Sequence, residues 1–279
     1  MIKSAIQLKA KIRNVSDGDD KVAKAMLRIF FMERFLERIS ISPYRDHFVL
    51  KGGMLVSSLL GVNVRATMDI DTTVWALPLT KEEIEKVITE ICKISLDDNI
   101  SFKITATNTI MDDFDYPGVR LHLEGTLEKL KQPIKIDIST DDIITPGAIE
   151  YEYQLMFEER KINLNTYNIE TLLAEKTQTI ISRGLANTRM RDFYDLYEIA
   201  QKKDFSFDTY KKAFYATCKK RGTEFSVEKI REELNSIASS DEMNKMWDNF
   251  KRKNYFVEDI EYQVIMEQVL QTIMKIVAK

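Results

Sequence analysis

Residues 51–72 read KGGMLVSSLLGVNVRATMDIDT, and this stretch decides the fold. Lys51-Gly52-Gly53 forms a tight break after the strand-like run HFVL at 47–50. Met54–Leu60 then supplies two apolar helical turns that Gly61 stops, because glycine accepts the backbone a helix end demands. Residues 68–75, MDIDTTVW, alternate as a strand does. A period of two puts Asp69 and Asp71 on one strand face and Ile70 on the other. Two adjacent carboxylates repel when ionised unless a cation sits between them. Hard divalent ions take oxygen ligands, and Mg2+ combines a few carboxylates with substrate phosphates. A third acid lies in PIKIDIS at 133–139, where Ile134, Ile136 and Ile138 share one face and Asp137 projects from the other. If that strand pairs beside the first, three carboxylates converge on a site able to hold the ions of a phosphoryl transfer. Gly52 and Gly53 at a helix start let backbone N–H groups approach a triphosphate. Lys51 flanks them, and Ser57 sits on the first turns of the helix.

The rest of the chain frames this stretch. With 279 residues and 44% hydrophobic content, it is long enough to bury a core without disulfides. Cys92 and Cys218 make no paired motif, and His47 and His122 are the only histidines, which excludes zinc clusters and histidine-based triads. Neither histidine is given a role. No apolar run is long enough for a membrane span or leader, so the expected location is the reduced cytoplasm. Helical spacing runs from Ser16 to Ile39, and Thr80 with Glu83 is a capping box that opens a further helix. Strands are expected at 100–107, 119–127 and 133–140. From about residue 169 the period turns helical and stays so to the end. The expected architecture is α+β, with a mixed-sheet domain over 1–160 and a helical domain over 161–279.

The order of glycine pair, short helix, Arg65, D-I-D strand and a later strand acid resembles the DNA polymerase β-like nucleotidyltransferase superfamily. More narrowly, Lys51-Gly52-Gly53 followed by Arg65-Ala66-Thr67-Met68-Asp69-Ile70-Asp71 is similar to the AbiEii/AbiGii toxin family. Leu173-Ala174-Glu175-Lys176, Arg183 and the run Arg189–Tyr197 (RMRDFYDLY) resemble that family's later motifs. Where the superfamily pattern has Gly-Ser, this chain has Gly52-Gly53. Lys176 and Arg183 lie two helical turns apart, and Arg189 and Asp192 are helical neighbours.

The resemblance implies a nucleotidyltransferase core, a C-terminal helical bundle and a cleft between them. It implies Mg2+- or Mn2+-dependent transfer of a nucleoside monophosphate from an NTP to an acceptor hydroxyl. Asp69, Asp71 and Asp137 would hold the metal, and Asp69, Asp71, Lys176 and Asp192 would be catalytic. Lys51, Gly52, Gly53, Ser57, Arg65, Thr67, Lys176 and Arg183 would bind the nucleotide. The family further implies a toxin of a type IV toxin–antitoxin or phage-abortive-infection system. Its antitoxin would be separately encoded and need not touch it, and its leading acceptor would be the 3′ end of tRNA. Nucleotidylation of a protein Ser, Thr or Tyr hydroxyl, and a non-catalytic NTP-binding module, stay open at this point.

Other signals are read as structural. Met111–Gly118 holds a second D-x-D look-alike, but its turn chemistry predicts a hairpin loop between two strands. Asp141-Asp142 closes the strand bearing Asp137. Residues 176–221 carry eleven Lys/Arg against five Asp/Glu. Within them, Lys211, Lys212, Lys219, Lys220 and Arg221, interleaved with Phe214 and Tyr215, could meet RNA or simply form a solvated helix face.

Overall fold

Helical spacing near the N-terminus is broken at Asp17 and Gly18, which both take left-handed backbone, φ 47° and 80°. In the computed structural model, which describes residues 1–61, 63, 65–78, 80–110, 118–257 and 259–277, this separates α1 (Ala5–Ser16) from α2 (Asp20–Ile41). The Asp19 side chain accepts from the Lys21 and Val22 N–H groups at 2.7 and 3.0 Å and so caps α2. The helix expected from Ser16 therefore begins four residues later, preceded by a helix the spacing did not predict.

After α2 come β1 (Phe48–Lys51), α3 (Gly52–Leu60), β2 (Ile70–Val74), α4 (Lys81–Cys92), β3 (Ile100–Ile110), β4 (Gly118–Leu127), β5 (Leu130–Thr140), β6 (Ile149–Gln154) and β7 (Lys161–Thr166). The glycine pair expected as a break forms the first turn of α3. The capping box at α4 is real on its Thr80 side, whose hydroxyl accepts from the Glu83 N–H at 3.2 Å. The strands form one mixed sheet in the order β3-β4-β5-β2-β1-β7-β6. β1 runs antiparallel to β2 and parallel to β7, while β2 runs parallel to β5. β3 and β4 pair antiparallel, with Ile110 opposite Gly118; the look-alike run between them, 111–117, lies outside the described residues.

The core of this unit is built on α2, whose Ile29, Phe30, Phe31, Met32, Phe35 and Leu36 are all buried. Phe31 and Phe35 meet the Phe102 ring edge-on at 6.5 and 5.4 Å. A Cβ at Gly125 of β4 would lie 2.5 Å from the Phe31 ring, so the approach of α2 to the sheet needs glycine there. Arg38 and Asp98 are both fully buried and paired at 2.9 and 3.0 Å, and Arg38 also donates to the Ile94 and Ile100 carbonyls.

The chain divides into two compact units, Met1–Asp142 with Ile149–Thr166, and Ile143–Ala148 with Tyr167–Lys279. The second unit comprises α5 (Ile169–Arg183), α6 (Met190–Lys202), α7 (Phe207–Lys220), α8 (Val227–Ala238), α9 (Asp241–Lys253) and α10 (Tyr262–Val277). Asn168 caps α5 by accepting from the Thr171 N–H at 2.7 Å, and its amide donates to the Thr145 carbonyl at 2.8 Å. That side chain and the Thr171 hydroxyl, which accepts from the Thr145 N–H at 3.0 Å, tie segment 143–148 to α5. α10 buries Ile265, Met266, Val269, Ile273 and Ile276, and Tyr194, Trp247, Phe250 and Phe256 cluster at ring separations of 5.5–6.4 Å. Among the described residues, no helix is long and apolar enough to cross a membrane.

Candidate active site

Asp71 is the second residue of β2, and its register partner on β5 is Asp137. Asp69 falls in the bend just before the strand, and Ile70 between them is fully buried. The convergence expected from two alternating strands is thus realised: one oxygen from each of Asp69, Asp71 and Asp137 lies within 4.8 Å of the others. Loss of water on burial pushes the Asp71 carboxyl up to about 6, with repulsion from Asp69 and Asp137 adding to the rise. The Gly53 N–H and the Lys51 charge pull the other way.

The glycine pair makes room for this acid. Gly52 has φ +61°, and a Cβ there would stand 2.1 Å from Asp71 Oδ2. The Gly53 N–H donates to that same oxygen at 3.2 Å, so the start of α3 is aimed at Asp71. Thr67 is buried beside Gly53, and its hydroxyl donates to the Asp69 carbonyl at 3.3 Å. Arg65 is buried and donates to the Ala66 carbonyl. Ser57 is buried in α3, with its hydroxyl oxygen unpartnered among the described residues. Lys51 is buried and ion-paired to Asp142, which also accepts from the Ser139 hydroxyl at 2.7 Å. Asp142 therefore anchors a lysine as well as following the strand.

Two further side chains at the acidic trio escaped the sequence reading. Arg120 of β4 grips Asp137 through both oxygens, at 2.7 and 2.8 Å. Lys135 of β5 reaches Asp69 at 2.6 Å and Asp137 at 3.5 Å. Lys135 was within reach of the alternation argument, since it stands two residues before Asp137 on the same strand face. Arg120 was not, because it meets Asp137 only through the β4–β5 register.

In the helical unit, Lys176 projects from α5 to α6, where Asp192 and Asp195 hold its ammonium at 2.8 and 2.7 Å. Asp195 is fully buried and was not among the expected residues, although it stands three positions after Asp192 on the same helix face. Arg189 caps α6, and its carbonyl accepts from the Asp192 N–H at 2.9 Å. Arg183 ends α5, partly exposed. In the basic run, Phe214 is core, Lys212, Tyr215 and Lys219 are exposed, and Arg221 is taken up by Gln178 at 2.5 Å.

A mixed sheet bearing three convergent carboxylates, with a glycine-led helix packed against the first acidic strand, defines a nucleotidyltransferase. The chain belongs to the family of AbiEii nucleotidyl transferase toxins of type IV toxin–antitoxin systems, whose sequence profile it matches over residues 34–268. Family membership brings with it an NTP substrate and an antitoxin partner. Among solved structures the fold is similar to that of MenT4, a nucleotidyltransferase toxin from Mycobacterium tuberculosis, at TM-score 0.58 and 15% identity, covering 94% of this chain and 98% of that one. It is also similar to JHP933 from Helicobacter pylori, at TM-score 0.51 and 13% identity, covering 90% and 91% of the two chains. No curated protein matches the chain in sequence.

The donor set fits a hard divalent cation. One oxygen of each carboxylate lies within 4.8 Å of the others, and two of the residues are fixed by hydrogen bonds, Asp71 by the Gly53 N–H and Asp137 by Arg120.

Proposed function

We propose that the protein transfers a nucleoside monophosphate from an NTP to the 3′-terminal hydroxyl of tRNA in an Mg2+-dependent reaction that breaks the bond between the α- and β-phosphates and releases pyrophosphate. The observation that carries this reading is the convergence of Asp71 and Asp137, paired across β2 and β5, with Asp69 in the bend before β2, in a chain of this family. Asp69 and Asp71 serve as catalytic metal ligands and Asp137 as the third. When bound, divalent ions neutralise charge on the attacking and leaving oxygens of phosphoryl transfer. The chain's own contribution is positioning and electrostatics. Gly52 and Gly53 admit Asp71 to the site at close quarters, and in this reading Lys51, Ser57, Arg65 and Thr67 serve with them in binding the nucleotide. Lys176 and Arg183 supply positive charge for the triphosphate. Asp192, with Asp195, fixes the Lys176 ammonium in orientation, and Asp192 assists departure of the acceptor proton.

A nucleotide added to the tRNA 3′ end covers the hydroxyl that aminoacylation needs, which accounts for growth arrest by a toxin and for use against phage infection. The test is incubation with an α-labelled NTP and tRNA, intact or with its terminal ribose oxidised by periodate. Label should enter intact tRNA and not the oxidised form. Equal labelling of both would move the acceptor elsewhere on the RNA, and labelling of protein alone would contradict the tRNA reading.

A further inference from the structure

The carboxylate trio is met by two cations of the chain itself. Arg120 holds Asp137 through both of its oxygens. Lys135 Nζ stands 2.6 Å from Asp69 Oδ2 and 3.5 Å from Asp137 Oδ2, bridging two of the three acids. Three carboxylates and two cations leave one net negative charge among five side chains, little attraction for a free divalent ion. The two cations differ in kind. The planar guanidinium of Arg120 makes a forked, two-point contact that fixes the Asp137 rotamer. Lys135 is a point charge on a flexible four-carbon stem; both side chains are partly exposed, 29% for Arg120 and 27% for Lys135, but Lys135 has no forked contact to hold it, and a rotation can carry its ammonium into water.

Taking the trio as the metal centre described above, we infer that Lys135 is a competing cation, one that contends with the divalent ion for Asp69. A free ion has to displace the ammonium. An ion arriving with an NTP brings phosphate oxygens as further ligands and does so more readily. The site thereby takes up its metal mainly together with nucleotide. Arg120 is the fixed member of the pair and keeps Asp137 in place.

The experiment is a Mn2+ titration of the full chain without nucleotide, read by the electron paramagnetic resonance signal of free Mn2+. Wild type, Lys135→Met and Lys135→Arg are compared. One unit charge removed about 4 Å from a divalent ion should tighten binding on the order of tenfold or more in Lys135→Met. Lys135→Arg, with its charge kept, should stay near wild type. Equal or weaker binding in Lys135→Met overturns the inference and leaves the metal centre standing. If Mn2+ binds none of the three proteins, with or without a nucleotide, the metal-centre reading falls and this inference with it. A second measurement needs no charge-removing variant. In wild type carrying 13C-methylated lysines, the Lys135 resonance, assigned by its absence in Lys135→Arg, should shift when Mg2+ and nucleotide are added; a resonance that stays fixed while they bind overturns the inference.

Discussion

At Gly52 the site turns on a missing methyl group. A Cβ there would come 2.1 Å from Asp71 Oδ2, so Gly52→Ala has to push the carboxylate out of place. Displacements of about 1 Å at a reacting centre cost roughly a hundredfold in rate, and a loss of that order is expected in nucleotide transfer. Turnover near wild type would show that Asp71 need not lie where it does. Asp71→Asn separates charge from shape, since the amide oxygen still accepts from the Gly53 N–H. The Asp71 carboxyl is raised to about 6 from an ordinary 3.8, so the folded state bears an unfavourable charge above pH 6 and sheds it as pH falls toward 4. Asp71→Asn should therefore abolish transfer and yet, in chelator, be more stable than wild type by about 3 kcal/mol at pH 8. That advantage should vanish near pH 4, as read by denaturant unfolding at the two pH values. At this scale the sequence was legible where chemistry follows a period: D-I-D and the lone acid of PIKIDIS identify themselves. Arg120 and Asp195 stayed hidden because their meaning depends on which strand or helix lies opposite.

Among the elements, α2 is a core helix of the sheet unit, and its Glu33, Arg34, Glu37 and Arg38 are as buried as its apolar residues. Arg38 and Asp98 have no exposure at all, and each is the other's charge partner. Arg38→Ala would leave Asp98 in the core without its charge partner, a loss of about 3–5 kcal/mol. A change under 1 kcal/mol in urea unfolding would contradict that. Glu33 on the same helix accepts from the Met156 N–H at 3.0 Å and from the Tyr153 hydroxyl at 3.3 Å, and burial pushes its carboxyl up to about 8. Between pH 5 and 8 the unfolded chain has lost this proton while the folded chain keeps it, so the group's contribution to stability declines as pH rises. Relative to wild type, Glu33→Gln should gain stability by up to about 1.4 kcal/mol per pH unit across that window. A difference that is flat with pH would show that Glu33 is ionised in the fold. The elements were legible where spacing is long and regular, as in α2, α4 and β5. β6 and β7 were less so: IEYEYQ and KINLNT alternate as strands do, but each is only six residues long and largely polar, so the pattern is weak beside that of β5.

For the whole chain, the sheet is completed late. After β5 the backbone leaves for residues 143–148, which belong with the helical unit, and then returns to lay β7 beside β1. Without β6 and β7, β1 becomes an edge strand, with the pairing of Val49 to Asn165 and of Leu50 to Thr166 gone. A fragment of residues 1–166 should be recovered folded, whereas 1–148 should aggregate; equal solubility would show that the late strands are dispensable. The order of motifs along the chain pointed to the family before any geometry was known. How the first unit recovers two strands from beyond its own helices could not be read from periodicity, which is blind to returns of the chain. The central claim, that Asp69, Asp71 and Asp137 form the metal centre of a tRNA nucleotidyltransferase, is tested most directly by one assay. Purified protein is incubated with total tRNA, Mg2+ and each α-32P-labelled NTP in turn, beside Asp71→Asn. Label in the tRNA band that requires Mg2+ and is absent from the variant is the predicted result; labelling that persists in Asp71→Asn, or RNA left unlabelled with all four NTPs, would contradict it.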